Sequence, residues 1–198
     1  MLEKILAGIA VFIFIAISVV CMFPISFVDG GGLREIISDS LNTPLRLFLV
    51  YHPFVTMLGG IVLTVLALIL PKPAKAVFLI LYLGFIVYMT LLFRNSEDSH
   101  GIFEFFWSYK QAIHSSYYRQ EILQNMWLFV PLGAVLYSMT KRRWPIMIPI
   151  IISAVIELLQ YILGLGLAEV DDIISNTFGA VIGFSIAILL QSHKKKTE

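Results

Sequence analysis

Charge is what this chain has least of. Only 14% of its 198 residues are Asp, Glu, Lys or Arg, and 59% are apolar. Soluble domains average about 25% charged and about 45–50% apolar. So few charges cannot cover a water-facing surface, which excludes a soluble globular domain. The apolar excess excludes a disordered chain, and a net charge of +1 offers no basic face for nucleic acid. Cysteine is nearly absent: Cys21 stands alone, so neither an intramolecular disulfide nor a multi-cysteine metal site is available. The histidines His52, His100, His114 and His193 are far apart and never form the H-E-x-x-H pair of a zinc hydrolase. No metal or cofactor is expected. Internal repeats, low-complexity stretches and a soluble domain are missing as well.

What the chain has is long apolar runs and a mean hydropathy of +0.88. A membrane helix needs about 20 mostly apolar residues. Six runs qualify, roughly 5–23, 47–70, 76–93, 122–140, 146–163 and 171–190. The expected fold class is all-α, a polytopic transmembrane helical bundle. The first run is read as an uncleaved anchor, because it is a full span and Ala16-Ile17-Ser18 is a weak cleavage signal. With the N-terminus inside, the inner segments carry nine basic residues: Lys4, Lys72, Lys75, Lys141, Arg142, Arg143 and Lys194 to Lys196. The outer loops carry five, Arg34, Arg46, Arg94, Lys110 and Arg119. Eleven of thirteen acidic residues fall outside or in the outer half of a span. Each inner turn is independently basic, so both termini are expected in the cytoplasm.

Two outer loops carry patterns of their own. In the first, Leu33, Ile36, Ile37 and Leu41 recur at helical spacing around Arg34, Glu35 and Asp39, which fits a short surface helix or an ordinary solvated loop. In the third, residues 101–120 hold Phe103, Phe105, Phe106, Trp107, Tyr109, Tyr117 and Tyr118. Aromatic rings favour the headgroup level, so this segment is expected along the outer interface, as a plain belt or as a lid beside a lipid headgroup. The lysines of the 193–198 tail read as a topology and lipid anchor.

Ionisable groups inside a span are costly and point to function. Ser153, Glu157 and Gln160 share one face of the fifth run, with Glu157 about 9 Å from its outer end at the helical rise. Asp172, Asn176, Gly179 and Gly183 share a face of the sixth, with Asn176 roughly 7 Å inside the same boundary. The fourth opens with Glu121, Gln124 and Asn125, and Arg94 closes the third. These groups all lie in the outer half, while the cytoplasmic halves stay apolar, so the pattern describes an outward pocket rather than a channel. Plainer roles exist for each. Asp171 and Asp172 suit a helix start, Asn176 suits an interhelical bond, and the glycines suit close packing.

The order of these residues resembles the VanZ-like membrane protein family. The resemblance runs from about Leu79 to Leu190, through Thr90-Leu91-Leu92-Phe93-Arg94, Phe105-Phe106-Trp107-Ser108-Tyr109 and Asn125-Met126-Trp127-Leu128-Phe129-Val130-Pro131-Leu132-Gly133. It continues through Ser153-x-x-x-Glu157-x-x-Gln160 and Asp171-Asp172-x-x-x-Asn176-Thr177-x-Gly179. It implies a two-span extension over 1–75, the family's domain over 76–192 and a basic tail over 193–198. Many family members carry an arginine shortly before the aspartate pair. This chain has no basic residue between Arg143 and Lys194. The resemblance implies a bacterial cell-envelope protein and, for some members, lowered susceptibility to teicoplanin-type antibiotics. Two readings stand: an enzyme acting on a lipid headgroup or a lipid-linked wall precursor, or a non-catalytic protein that binds one. A transporter subunit is a third, weakened by the lack of a through-path. In the enzyme reading Glu157 and Asp172 are the catalytic candidates, and Arg94, Asn125, Gln160 and Asn176 bind substrate.

Overall fold

The computed structural model describes residues 2–22, 52–91, 101–165 and 167–194. Among the described residues, seven α-helices build an all-α bundle: α1 Leu2–Met22, α2 Pro53–Ile69, α3 Lys72–Leu91, α4 Trp107–His114, α5 Ser116–Thr140, α6 Met147–Leu163 and α7 Val170–Lys194. Five of them hold stretches long and apolar enough to cross a membrane, Lys4–Met22, Lys72–Leu91, Ser116–Thr140, Trp144–Leu163 and Val170–Leu190, the fourth including the 3₁₀ turn before α6. The apolar helix α2 is shorter, with 17 residues. The residues before it, where the second run was expected to start, lie outside the described ones, as do the helix expected near residues 33–41, Arg94 and the tail beyond Lys194.

Helix α5 begins six residues earlier than its apolar run, at Ser116 rather than 122. Arg119, Gln120 and Glu121 are good helix formers, and hydropathy marks only the lipid-embedded part of a helix.

The centre of the bundle is the seam between α5 and α7. Glycine makes it narrow: a Cβ on Gly179 would strike the Met126 carbonyl, one on Gly183 the Val130 carbonyl, and one on Gly133 the Ala180 carbonyl. Small residues that let backbones meet are how helices associate in lipid, where water cannot drive them together. One buried cluster joins Phe129, Leu132 and Val135 of α5 to Ala180 and Phe184 of α7 and to Ile86 of α3. A second brings in the N-terminal helices, packing Phe14 and Met22 of α1 and Met57 of α2 against Leu123, Trp127 and Ile182. Trp127 also donates its ring N–H to Ser18 Oγ at 3.0 Å. Large apolar side chains such as Phe12, Val20, Ile80, Leu81 and Ile162 remain exposed around the outside. For a membrane protein that face is the lipid contact.

Pro131 sits inside α5 and removes the N–H that would serve the Trp127 carbonyl. One residue further along, the buried Tyr82 hydroxyl of α3 donates to the Leu128 carbonyl at 2.7 Å. A neighbouring helix thus supports the backbone where the proline weakens it.

At the end where α3 and α6 finish and α5 and α7 begin, two short strands meet. β1 (Gly101–Ile102) pairs in parallel with β2 (Ala168–Glu169), Gly101 opposite Ala168 and Ile102 opposite Glu169. Nothing in the hydropathy foreshadows this bridge. It fastens the aromatic segment to the α6–α7 connection.

Candidate functional site

The site begins with the first turn of α7. The Asp171 carboxylate is buried there and accepts two backbone N–H bonds, from Phe106 at 2.7 Å and from Ser108 at 2.8 Å. Phe106, at the N-cap of α4, holds a left-handed backbone with φ 63°. That conformation costs a bulky residue about 1–3 kcal/mol. Each hydrogen bond to a charged group contributes about 1.5–3 kcal/mol, so the two bonds to Asp171 offset the strain. Ser108, also buried, donates its hydroxyl to the Glu169 carboxylate. Ser175 gives its proton to the Asp171 carbonyl at 3.0 Å, so Tyr109 is the donor in its 2.8 Å bond with Ser175 Oγ. Burial pushes the Tyr109 phenol up; the Ser175 bond opposes this, and the Asp171 and Asp172 carboxylates add to it. The phenol therefore stays neutral and keeps its proton for Ser175. Asp171 is more than a helix cap: it is the clamp that seats α4 on the bundle.

The second part of the site is built by the end of α6. Gly164 closes this helix with φ 63°, and the Leu165 N–H reaches back to the Gln160 carbonyl at 3.0 Å. Glycine adopts this conformation without cost. Gly164→Ala is expected to lower stability by about 1 kcal/mol, read as a small drop in melting temperature in detergent. The turn sends the chain back as β2, where the Glu169 N–H donates to Glu157 Oε2 at 2.9 Å. Glu157 and Glu169 thereby share a cleft of about 190 Å³, walled by Ala154, Leu158 and Tyr161 of α6, Ile173 of α7 and Phe103 from the aromatic segment. Phe103 meets Tyr161 edge to face, with ring centroids 5.6 Å apart. Gly101 makes room for this pair, since a Cβ there would stand 2.6 Å from the Phe103 ring and 3.2 Å from Tyr161. Both carboxyl groups are buried, whereas Phe103, Leu158 and Tyr161 are exposed. The cleft is open and its surface is almost wholly apolar, with Glu157 and Glu169 among the residues that line it.

The other residues expected at the site lie behind this cleft. Asn125 of α5 donates to Asp172 Oδ1 at 2.7 Å, tying the α5–α7 seam. Asn176 donates to Ser153 Oγ at 2.8 Å, tying α7 to α6. Gln160 donates to the Thr90 carbonyl at 3.0 Å, tying α6 to α3. The carbonyl oxygens of the Gln160 and Asn176 side chains are buried without a donor. Of the six candidates, then, Glu157 lines the cleft, while Asp172, Asn125, Gln160 and Asn176 link helices, and Arg94 lies outside the described residues. Sequence reasoning missed Glu169, Ser108, Phe103 and Tyr161 as partners. The available signal was Glu169 itself, an acid two residues before the Asp171-Asp172 pair in an otherwise apolar stretch.

The sequence of this region is similar to that of a known family. The model of the VanZ/LLP1 family matches residues 78–191, from α3 to the last turn of α7. No curated protein and no solved structure matches the chain.

Proposed function

The chain belongs to the VanZ/LLP1 family, and we propose that this multi-pass membrane protein takes the polar group of a membrane lipid or lipid-linked wall precursor into the cleft between α6 and α7. One observation carries the reading. An open apolar cleft has two buried acidic residues, Glu157 and Glu169, in its lining, at one end of membrane-length helices. An amphiphile suits such a site, because its tail stays beside Leu158 and Tyr161 while its polar group reaches the base. With both termini cytoplasmic, as the basic turns argue, the cleft faces the outside of a bacterial cell membrane. Holding a wall precursor there limits the access of teicoplanin-type antibiotics.

Binding is the primary role in this reading. Glu157 is the group within reach of a bound ligand and the candidate general base. Asp172, bonded to Asn125 on the far seam, positions α7. The transporter reading draws less support, because the buried carboxyl and amide side chains of the described helices gather at one end, while Thr64, Lys75 and Ser138 toward the other end bond backbone carbonyls.

Ala154 gives the cleanest test. It is a cleft wall residue on an exposed stretch of α6, so a large ring there fills the cleft with little cost to the core. Ala154→Trp is expected to fold like the parent and to lose at least about tenfold in co-purifying lipid, a change of roughly 1.4 kcal/mol, by native mass spectrometry. Equal lipid retention by a well-folded Ala154→Trp protein sinks the proposal. Comparison of membrane lipid pools with and without the protein then separates catalysis, which alters a headgroup pool, from binding, which leaves it unchanged.

A further inference from the structure

We infer that the exposed side of the segment from Phe103 to Tyr117 is embedded in the membrane, just below the headgroups, and is not a lid spread in water. This rests on the membrane placement of the bundle and not on what fills the cleft. The height of the segment comes first. Phe103 stands edge to face against Tyr161 in the last turn of α6. Tyr161, Ile162 and Leu163 are exposed there, at the end of a membrane-length stretch. The β1–β2 pairing holds the segment at that height, because it ties Gly101 and Ile102 to the chain just after α6. Aromatic rings favour this level of a bilayer, and Phe103 extends a face that α6 already turns to lipid.

Its composition fits an uncharged layer. Phe105, Phe106, Ile113 and Tyr117 are each more than half exposed. Large apolar groups this dense on a short stretch go beyond the scattered exposure normal in water. Within α4, Lys110 and Ile113 share a face opposite the buried Ser108. From Gly101 to Tyr118 the only Asp, Glu, Lys or Arg residues are Glu104 and Lys110. They pair at 2.6 Å, so the face carries no net charge into a medium where a lone ion is costly. Apolar burial therefore drives the contact, and anionic headgroups find no excess of positive charge to hold.

Phe106 is an independent sign. Its left-handed backbone, φ 63°, suits glycine or asparagine. The phenylalanine ring meets the edge of Tyr109 at 6.0 Å and is otherwise left largely exposed by the bundle. Packing inside the protein does not repay a bulky side chain in that conformation, whereas burial in lipid does.

The test uses the full chain in phosphatidylcholine vesicles. Cys21 is the single cysteine, so Cys21→Ser gives a background in which Phe105→Cys and Ile113→Cys each carry one nitroxide. Each label is read for collision with oxygen, which concentrates among acyl chains, and with a water-soluble nickel chelate. Ile80→Cys on the exposed side of α3 and Arg142→Cys in the exposed turn after α5 are the lipid and water references. The oxygen-to-nickel ratio at Phe105→Cys and Ile113→Cys is expected to be several-fold above that at Arg142→Cys and below that at Ile80→Cys. Phe106→Gly is expected to melt like the parent and to lower the ratio at Phe105→Cys. Ratios equal to that at Arg142→Cys overturn insertion and leave a lid in water. Weak collision with both reagents overturns it in favour of a second copy covering the surface. Insertion only after phosphatidylglycerol is added overturns the uncharged layer as the partner. A lower melting temperature in Phe106→Gly overturns the argument from Phe106, and the two label positions then decide insertion by themselves.

Discussion

Gly183→Val is expected to remove the folded bundle from detergent extracts. The Cβ it adds points at the backbone of α5, striking the Val130 carbonyl and standing 2.8 Å from the Ala134 nitrogen. Overpacking a core side chain costs about 1–3 kcal/mol, because neighbouring side chains change rotamer to accommodate it. A carbonyl has no rotamer. Relief here requires α5 and α7 to move apart, and that separation strips Phe129, Leu132, Ala180 and Phe184 of their shared contacts. The cost therefore exceeds the usual range, and the expected readout is aggregation on size exclusion or a fall in melting temperature beyond roughly 10 °C. Gly179→Val, against the Met126 carbonyl, is expected to behave alike. Gly84→Ala provides the contrast: its Cβ meets nothing within 4 Å. Exchanging glycine for a better helix former there is expected to be neutral or to add up to about 1 kcal/mol. If Gly183→Val elutes and melts like the parent, the tight α5–α7 seam is not the structural centre.

The same seam marks how far the sequence could be read. Gly179-x-x-x-Gly183 announces close helix contact in lipid, and the seam is where that contact falls. The apolar runs give the helices because a membrane leaves no other way to satisfy the backbone. Polar groups on one helical face are legible too: Ser153, Glu157 and Gln160 are all buried. Their partners are not. Spacing along α6 fixes a face, whereas the neighbour of that face depends on how α3, α5 and α7 are arranged. Gln160 thus bonds a backbone carbonyl on α3, Asn176 a serine on α6, and Asp172 an asparagine on α5. The least legible part is the β1–β2 bridge. Two-residue strands have no period to detect, and their pairing is what brings Phe103 to Tyr161 and Ser108 to Glu169. The aromatic segment reads from sequence as an interfacial belt. Its exposed rings, Phe105, Phe106 and Tyr117, fit that reading, while Phe103 has the added task of walling the cleft.

Asp171→Asn is expected to release α4 while leaving the transmembrane bundle folded. The native carboxylate presents one oxygen to the Phe106 N–H and the other to the Ser108 N–H. An amide keeps one oxygen and turns an NH₂ toward the second donor, so size is preserved and one bond becomes a clash of donors. A buried donor left without a partner costs about 1–3 kcal/mol, and the left-handed Phe106 turn is then held by one carboxamide bond where it had two to the carboxylate. A loss of about 3 kcal/mol raises amide exchange across residues 106–110 by roughly two orders of magnitude, read by hydrogen exchange. The transmembrane part of α5 is expected to keep its protection, since its contacts with α7 lie deeper in the bundle. Ser108→Ala separates the clamp from the cleft. It deletes only the hydroxyl bond to Glu169, leaves both N–H bonds to Asp171, and is expected to raise exchange far less. Releasing α4 also frees Phe103 from Tyr161, so Asp171→Asn is expected to lose cleft lipid although Asp171 does not line the cleft. Unchanged exchange in Asp171→Asn shows instead that the β1–β2 bridge and the Tyr109–Ser175 bond suffice to seat α4. In that case the Phe106 strain is held by the chain on either side of it and not by the carboxylate.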